Sequence, residues 1–497
     1  MKEKKYIIAI DQGTTSSRAI VFDQSGSIVG IAQKEFEQIY PQPGWVEHRP
    51  EDILQSQIEV LKKVVSDNQI DPEAIAALGI TNQRETTLVW DKSSGKAVHN
   101  AIVWQDRRTA AYCEKIRKKH KGKIHRKTGL IVDAYFSASK IRWILDDLSK
   151  KMPAVDVNDL AFGTVDSWLV YHLTGKKVHA TDATNASRTM LFNINDLKWD
   201  EELLSIFNIP HTLLPEVKSC NAYFGDLHQD ILGVSIPIHG IAGDQQAALF
   251  GQMCIAPGMM KNTYGTGCFL VLNTGADLIL SENNLLSTLA WQWDGKPTYA
   301  LEGSVFIGGA VIQWLRDGLQ ILQDASQSES LALSVTDNGG VVFVPALSGL
   351  GAPYWEPYAR CAIFGLTRGT TKAHITRAAL ESIAFQVRDI TEAMATDMGR
   401  NPVELRVDGG AIENDFLLQA QADISGLKVV RPAIAETTAL GAAYFAGLGC
   451  GFWSGIDELK SQWKEEKVFT PKLETETKDH LLAQWKKAIE RSIKWAE

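Results

Sequence analysis

Short runs of apolar and β-branched residues recur in the N-terminal part of the chain and predict β-strands. Four such runs are Tyr6–Ile10, Ala19–Phe22, Ile75–Ile80 and Thr87–Trp90. Glycine, asparagine and aspartate stand beside them, as these residues commonly do where strands end.

Apolar residues at spacings of three and four lie between and beyond these runs and predict amphipathic helices. The three clearest stripes are Leu54-Ile58-Leu61-Val65, Leu380-Ile383-Val387-Ile390-Met394 and Leu482-Trp485-Ile489-Ile493. Strands that alternate with helices along a chain are typical of α/β proteins. We therefore predict an α/β fold.

The length of the chain predicts two domains. Its 497 residues exceed the roughly 250–300 at which a single core stops growing. Ala9–Phe22 and Asn262–Leu272 each contain a strand, a Gly-Thr turn and a second strand, which indicates two similar halves facing each other. Pro257 and Gly258 interrupt the pattern between them. The predicted domains are residues 1–255 and 256–497, the second with a helical segment rich in lysine and glutamate from Leu459 onward.

Charge and cysteine content narrow the class of protein. A net charge of -8 argues against nucleic acid or an anionic membrane surface as a partner. Six cysteines are scattered singly, which disfavours a zinc site and a disulfide framework. The apolar run Tyr6–Ile10 is too short for a signal peptide, and no apolar stretch approaches the ~20 residues of a membrane span. We expect a cytoplasmic enzyme.

Asp11–Arg18 carries the first candidate chemistry. A strand ends at Asp11, the chain turns at Gly13, and hydroxyls and backbone N–H groups follow. Such a turn can cradle phosphate oxygens, Arg18 adds a cation, and Asp11 could help to hold Mg²⁺. A hairpin with its hydroxyls in solvent is the alternative. The G-x-x-x-x-G-K-[ST] pattern of a P-loop is absent.

Asp244 is the candidate general base. It follows an apolar run that ends in Ala-Gly and precedes a helical pattern, so its carboxylate is expected in a cleft. There it could accept a proton from an attacking hydroxyl. An ordinary helix N-cap is the alternative.

Two further segments could bind ligands. Arg84 and Glu85 follow a strand and could donate to and accept from neighbouring hydroxyls, although such pairs are usually surface salt bridges. Trp104 and Phe269 could form apolar walls or simply belong to the core. The Gly-Gly turn of Val407–Asn414 would let a nucleotide ring approach the backbone, unless it is a simple turn.

These segments together resemble the FGGY carbohydrate kinases over nearly the whole chain. The matching segments read DQGTTSSRA, YPQPGWVEH, GITNQRETT, TNASRTMLFN, AGDQQAALFGQ, KNTYGTGCF, GLGAPYWEPYARCAIFGLTRG and VDGGAIEND. Tyr135–Asp146 fits the first family signature. Ile363–Gly365, His374 and Glu381 fit the second, with Cys361 in place of its usual small residue. That departure concerns packing only.

The resemblance implies an actin-like fold, in which two ribonuclease-H-like domains close over a cleft that binds ATP and Mg²⁺. It assigns Asp244 as the catalytic base and Asp11 as the carboxylate associated with Mg²⁺. The implied polyol contacts are Arg84, Glu85, Trp104, Tyr135, Asp244, Gln245 and Phe269. The implied nucleotide contacts are Thr14, Thr15, Ser16, Arg18, Thr266, Gly309, Gln313, Gly410 and Asn414.

The resemblance also favours glycerol as the substrate, with glycerol 3-phosphate as the product. The xylulose branch of the family carries G-Q-M-H-G where this chain has Ile80–Glu85, which weighs against a pentulose or sugar acid. The alternatives from other classes are an actin-like or chaperone-like ATPase and an inactive binding protein. Family members are dimers or tetramers, so a homodimer or homotetramer is expected.

The resemblance leaves regulation open. Gln229–Ile236 lacks the arginine of a loop with which some relatives bind a sugar-bisphosphate inhibitor. Other relatives are phosphorylated on a histidine in this region, where His228 and His239 lie here, although each is more simply a surface histidine.

Overall fold

The computed structural model describes residues 3–496 and contains two large mixed sheets. The strands of the first half are β1 (Tyr6–Gln12), β2 (Ser16–Asp23), β3 (Ile28–Glu35), β4 (Glu47–His48), β5 (Ile75–Asn82), β6 (Leu88–Asp91), β7 (Ala101–Ile102), β8 (Leu160–Gly163), β9 (Ala180–Asp182), β10 (Phe192–Asn193), β11 (Lys198–Trp199), β12 (Glu216–Lys218), β13 (Tyr223–Leu227) and β14 (Ile236–Gly243). Its helices are α1 (Pro50–Asp67), α2 (Ala110–Thr128), α3 (Ser137–Lys151), α4 (Val165–Leu173), α5 (Ala183–Ala186), α6 (Glu201–Phe207), α7 (Gln229–Leu232) and α8 (Asp244–Gly251).

The second half repeats the alternation of strands and helices. Its strands are β15 (Met259–Tyr264), β16 (Cys268–Gly275), β17 (Leu286–Trp293), β18 (Lys296–Val305), β19 (Val342–Val344), β20 (Ala362–Phe364), β21 (Glu404–Asp408), β22 (Val429–Pro432) and β23 (Glu465–Phe469). Its helices are α9 (Ala310–Asp317), α10 (Gln327–Leu333), α11 (Lys372–Met398), α12 (Asp415–Ser425), α13 (Thr437–Cys450), α14 (Ile456–Gln462) and α15 (Thr475–Ser492).

The two large sheets have the same central topology. The first has the order β13-β14-β5-β1-β2-β3 and the second the order β17-β18-β16-β15-β21-β22-β23. In each, the first strand forms a hairpin with the second and pairs in parallel with a later strand, β1 with β5 and β15 with β21. The four predicted apolar runs lie in β1, β2, β5 and β6, except that β6 begins one residue after Thr87, which confirms them as strands.

The three predicted stripes lie in α1, α11 and α15 except for Ile493, which follows the last residue of α15, so these helices are also confirmed. The buried face of α1 is displaced from the predicted stripe, because Ile53, Val60 and Val64 are buried while Leu54 and Ile58 are only half-buried. This helix packs against both β2 and β3, so a wider face of the helix is buried than the single predicted stripe.

A pair of helices joins the two halves. Helix α13, which follows β22 of the second sheet, packs against α8, β5, β14 and β1 of the first half. Small residues make this contact close, since a Cβ at Gly441 would lie 1.8 Å from the carbonyl oxygen of Ala247. The C-terminal residues complete the second half, where β23 forms an edge strand of the sheet and α15 packs beside β19. Within residues 3–496, no helix combines the length and apolar character needed to cross a membrane.

Candidate active site

The β1–β2 hairpin ends in a tight turn that points at the junction of the halves. The Gly13 N–H donates to the Ser16 carbonyl at 3.0 Å, and the strands pair up to Gln12 and Ser17. Trp104 Nε1 donates to Thr14 Oγ1 at 2.9 Å, while Thr15 at the tip is exposed. Trp104 therefore holds the turn at Thr14, and the exposed tip at Thr15 is accessible to a ligand.

Three carboxylates and one arginine surround the base of this turn. Arg18 Nη1 lies 3.0 Å from Glu436 Oε2, and this ion pair joins the first half to the second. Burial raises the pKa of Asp11 to about 7; Arg18 acts against that shift, and Asp244 and Glu436 add to it by repulsion. The accumulated negative charge would be relieved by a bound cation.

Arg84 is buried beside Asp244, not exposed in a surface salt bridge as the alternative interpretation would have it. Its Nε lies 3.1 Å from Asp244 Oδ1, and only 3% of the residue is exposed. The stem of Arg84 crosses Gly243, where a Cβ would come within 2.7 Å of Arg84 Cγ and Cδ. Glycine at 243 thus makes room for the arginine that faces the candidate base.

Asp244 is the first residue of α8, and Gly243 occupies the N-cap position. The carboxylate accepts from the Gln245 N–H at 2.7 Å and its side chain is 31% exposed. The ordinary N-cap alternative is therefore wrong. A charged, accessible oxygen at a strand–helix junction is suited to contact a reacting hydroxyl.

Glu85 belongs to the same polar surface. Arg188 Nε donates to Glu85 Oε1 at 2.6 Å, and the Glu85 backbone has a φ of 62°. Lys140 Nζ donates to the carbonyls of Tyr135, Phe136 and Glu85 at 2.5, 3.4 and 3.5 Å. These contacts hold the unusual backbone of Glu85 in place.

Aromatic rings form the apolar side of the candidate site. The Trp104 ring meets the Tyr135 ring edge-to-face at 5.7 Å between centroids and the Phe269 ring at 6.3 Å. Phe269 comes from β16, so both halves contribute to this wall. All three predicted aromatic residues therefore lie together.

Gln245 is oriented by a buried lysine. Lys261 Nζ donates to Gln245 Oε1 and to Thr263 Oγ1 at 2.7 Å. Because its amide oxygen is engaged, the amide nitrogen of Gln245 is the group left to contact a ligand.

The predicted nucleotide residues of the second half gather at one end of its sheet. Thr266 is exposed in the β15–β16 turn, where its carbonyl accepts from the Gly308 N–H at 2.8 Å. Gly309 precedes α9, and Gln313 is exposed on that helix.

Gly410 and Asn414 follow β21, which pairs with β15 and so ends at the same edge of the sheet. Gly410 is exposed, and a Cβ there would have no neighbour within 4 Å. Asn414 Oδ1 accepts from the Leu417 N–H at 2.9 Å, so its side chain also caps α12.

Four charged residues near the pocket were missed by the sequence analysis: Lys140, Arg188, Lys261 and Glu302. A signal existed for Lys261, which is the one charged residue of β15. Glu302 gave a similar signal, because it lies within β18, whose only other charged residue is Lys296 at the start of the strand. Such a position is unfavourable unless the charge has a buried partner. Arg188 and Lys140 gave no comparable pattern.

Comparison with known proteins identifies the class. The family model described as "FGGY family of carbohydrate kinases, N-terminal domain" matches residues 6–251, and the corresponding C-terminal domain model matches residues 260–450. The chain belongs to the FGGY family of carbohydrate kinases, which confirms the two-domain α/β fold expected from the resemblance.

Named relatives within the family are similar over their full length. Glycerol kinases of Pseudothermotoga lettingae and Parabacteroides distasonis are each 57% identical, over 496 and 494 residues and 99% of both chains. The crystal structure of Plasmodium falciparum glycerol kinase with ADP matches with a TM-score of 0.93 at 36% identity, covering 99% of each chain. Gluconate kinase of Lactobacillus acidophilus, at 24% identity and a TM-score of 0.88, shares the fold.

Proposed function

We propose that the protein transfers the γ-phosphoryl group of ATP to glycerol and forms sn-glycerol 3-phosphate, the entry step of glycerol catabolism. The observation that carries the proposal is the accessible Asp244 carboxylate, which lies 3.1 Å from Arg84 Nε where the two halves meet. The full-length similarity to proteins named glycerol kinase supports the choice of substrate.

The pocket has the two kinds of surface that a small triol requires. Arg84 and Glu85 offer donors and acceptors for neighbouring hydroxyls, and Asp244 and Gln245 do the same for the hydroxyl that reacts. The edge-to-face rings of Trp104, Tyr135 and Phe269 would cover the carbon chain. Contacts to the two hydroxyls that do not react would hold the third hydroxyl in position for attack on the γ-phosphorus.

ATP would bind between the halves. The Thr14–Thr15–Ser16 turn and Arg18 are proposed to hold its phosphates from the first half through hydroxyls, N–H groups and the guanidinium. The rest of the nucleotide would lie against the edge of the second sheet. The residues proposed there are Thr266, Gly309, Gln313, Gly410 and Asn414.

The donor set fits Mg²⁺ carried with the nucleotide. Mg²⁺ prefers oxygen ligands and commonly binds through one or two carboxylates together with substrate phosphates. Asp11 supplies such a carboxylate, buried near Arg18 and repelled by Asp244 and Glu436. Within residues 3–496 no group of three histidine, cysteine or acidic side chains could hold a metal by itself. When bound, the ion would neutralise charge on the phosphates.

In the reaction we propose, a glycerol oxygen attacks the γ-phosphorus, the bond to the β,γ-bridging oxygen breaks, and ADP leaves. The hydroxyl proton passes to the Asp244 carboxylate. Alignment and charge neutralisation supply most of the rate in phosphoryl transfer, and correct alignment alone can contribute about 7–11 kcal/mol. Closure of the halves would also exclude water that competes for the phosphoryl group.

Three further expectations from the sequence remain proposals: the domain boundary between residues 255 and 256, a homodimer or homotetramer, and a cytoplasmic location. Sedimentation of the purified protein would distinguish the oligomeric states.

The decisive experiment measures ADP formation with glycerol, dihydroxyacetone, xylulose, ribulose or gluconate as the acceptor. We expect the highest kcat/KM with glycerol and little ADP without an acceptor. A higher kcat/KM with xylulose or gluconate would overturn the choice of glycerol. ATP hydrolysis at the same rate with and without acceptors would instead favour an ATPase.

A further inference from the structure

Four charged side chains form a buried cluster behind the proposed polyol pocket. We call Arg84, Glu85, Arg188 and Glu302 the charge cluster; each is at most 3% exposed. The first three belong to the first half, whereas Glu302 comes from β18 of the second sheet. The positive and negative charges of the four are equal in number.

Glu302 holds the guanidinium of Arg84 in a fixed plane. Arg84 Nη1 donates to Glu302 Oε2 at 2.6 Å, and Arg84 Nη2 donates to Glu302 Oε1 at 2.9 Å. Gln246 Oε1 also accepts from Nη1 at 3.1 Å. Such a two-point pair fixes orientation as well as distance. With both terminal nitrogens engaged, the Nε edge of Arg84 is the part directed at Asp244.

The same glutamate reaches Glu85 through Arg188. Arg188 Nη2 donates to Glu302 Oε1 at 3.0 Å, and its Nε donates to Glu85 Oε1 at 2.6 Å. Glu302 therefore contacts both arginines, and each arginine faces a residue proposed to bind the polyol. The loss of Glu302 would release both at once.

Electrostatics keep Glu302 ionised in this setting. Burial opposes its charge, but Arg188 and Arg84 lower the pKa of Glu302 to about 2. Removing one member of a buried charged group leaves its partners uncompensated, and they then shift or take up water. A neutral side chain at 302 would therefore change the orientation of the Arg84 guanidinium without removing it from the pocket.

We infer that Glu302 is a positioning residue for polyol recognition, supplied by the second half of the chain to orient Arg84 and, through Arg188, Glu85. This inference rests on the proposed function and extends it. Strand β18 leads into the turn that carries Gly309, so the residue that shapes the polyol pocket lies on the segment that approaches the nucleotide. Polyol recognition thus depends on the second sheet being in place.

The test compares Glu302→Gln with Glu302→Asp and the wild type in the full-length protein. Glutamine preserves size and removes the charge, and we expect it to raise KM for glycerol by about tenfold or more while KM for ATP changes by less than about threefold. Aspartate keeps the charge with a shorter reach, and we expect it to recover part of the loss. Should the glutamine variant not fold, the aspartate variant should still raise KM for glycerol alone.

Glu381→Gln is the matched control. Glu381 is a buried carboxylate that accepts from Arg377 Nε at 2.9 Å and from Asn338 Nδ2 at 2.8 Å, far along the chain on α11. Its substitution should lower thermal stability without a selective change in KM for glycerol. This comparison separates pocket geometry from general destabilisation.

Two results would overturn the inference: a folded Glu302 variant with unchanged KM for glycerol, or equal increases in both KM values. The wild type measured in parallel keeps this outcome distinct from failure of the proposed function. A wild type that forms no ADP in response to glycerol would refute the function, whereas an active wild type with an unaffected Glu302→Gln variant would refute only the role of Glu302.

Discussion

Replacing Asp244 with asparagine removes the proposed proton acceptor and changes little else in the pocket. The amide oxygen of asparagine can still accept from Arg84 Nε and from the Gln245 N–H, which now contact Oδ1 at 3.1 and 2.7 Å. Glu302 and Glu85 continue to balance the charge of Arg84. The variant should therefore keep the shape of the polyol site and its KM for glycerol.

The expected loss lies in turnover. A positioned general base contributes about 10²–10⁴-fold to a reaction rate, which corresponds to about 3–5 kcal/mol in the activation free energy. Because the 31% exposure of Asp244 would allow water to substitute in part for the carboxylate, we expect a decrease near the lower end, about 10²-fold in kcat.

The measurement is a continuous assay of ADP formation at varied glycerol and saturating ATP. Asp457→Asn is the control, since Asp457 also lies in the first turn of a helix, α14, but is 96% exposed. A kcat within about threefold of the wild type would refute the role of Asp244 as the base. A large rise in KM for glycerol with unchanged kcat would assign Asp244 to binding alone.

Three further predictions concern Arg84, Gly243 and Lys140. Arg84→Ala should raise KM for glycerol by about tenfold or more, because the variant loses contacts to hydroxyls that do not react; an unchanged dependence on glycerol would remove Arg84 from the pocket. Gly243→Ala should also raise KM for glycerol, since the new Cβ would lie 2.7 Å from the Arg84 stem. Gly455→Ala is the control and should leave KM unchanged, because a Cβ there has no neighbour within 4 Å. Similar KM values for the two variants would contradict this prediction. Burial lowers the pKa of Lys140 to about 8, below its usual 10.5. Between these two pH values the unfolded chain binds the proton more tightly than the folded protein does, so the contribution of Lys140 to stability rises with pH. The free energy of unfolding of the wild type minus that of Lys140→Met, measured in urea, should therefore increase from about pH 8 to about pH 10, and a flat difference would be inconsistent with it.

The sequence predicted the elements whose signal is local. Continuous apolar runs identified β1 and β5, which are buried on both faces. Spacing identified α11 and α15, because burying one face of a helix leaves a periodic pattern in the sequence. The Gly-Thr turns after β1 and β15 likewise indicated two similar halves. The exact buried face of α1 depended on the strands beneath it, and spacing alone did not contain that information.

Resemblance named the residues that are proposed to bind ligands, but it did not name the buried charges behind them. The contact between Arg84 and Glu302 spans 218 positions and has no local signature. Burial decided between the alternatives: Arg84 and Glu85 have the composition of a surface pair, and only the tertiary structure places them inside. A lone glutamate in β18 was the available signal.

Helix α13 packs against α8, so the chain contributes to the first half again after it has formed most of the second sheet. Helix α13 follows the second sheet in sequence, yet it covers β1, β5 and β14 of the first. A fragment that stopped after α8 would leave that apolar surface in contact with solvent. The first half therefore buries this surface only when Thr437–Cys450 is present, although that helix belongs to a later part of the chain.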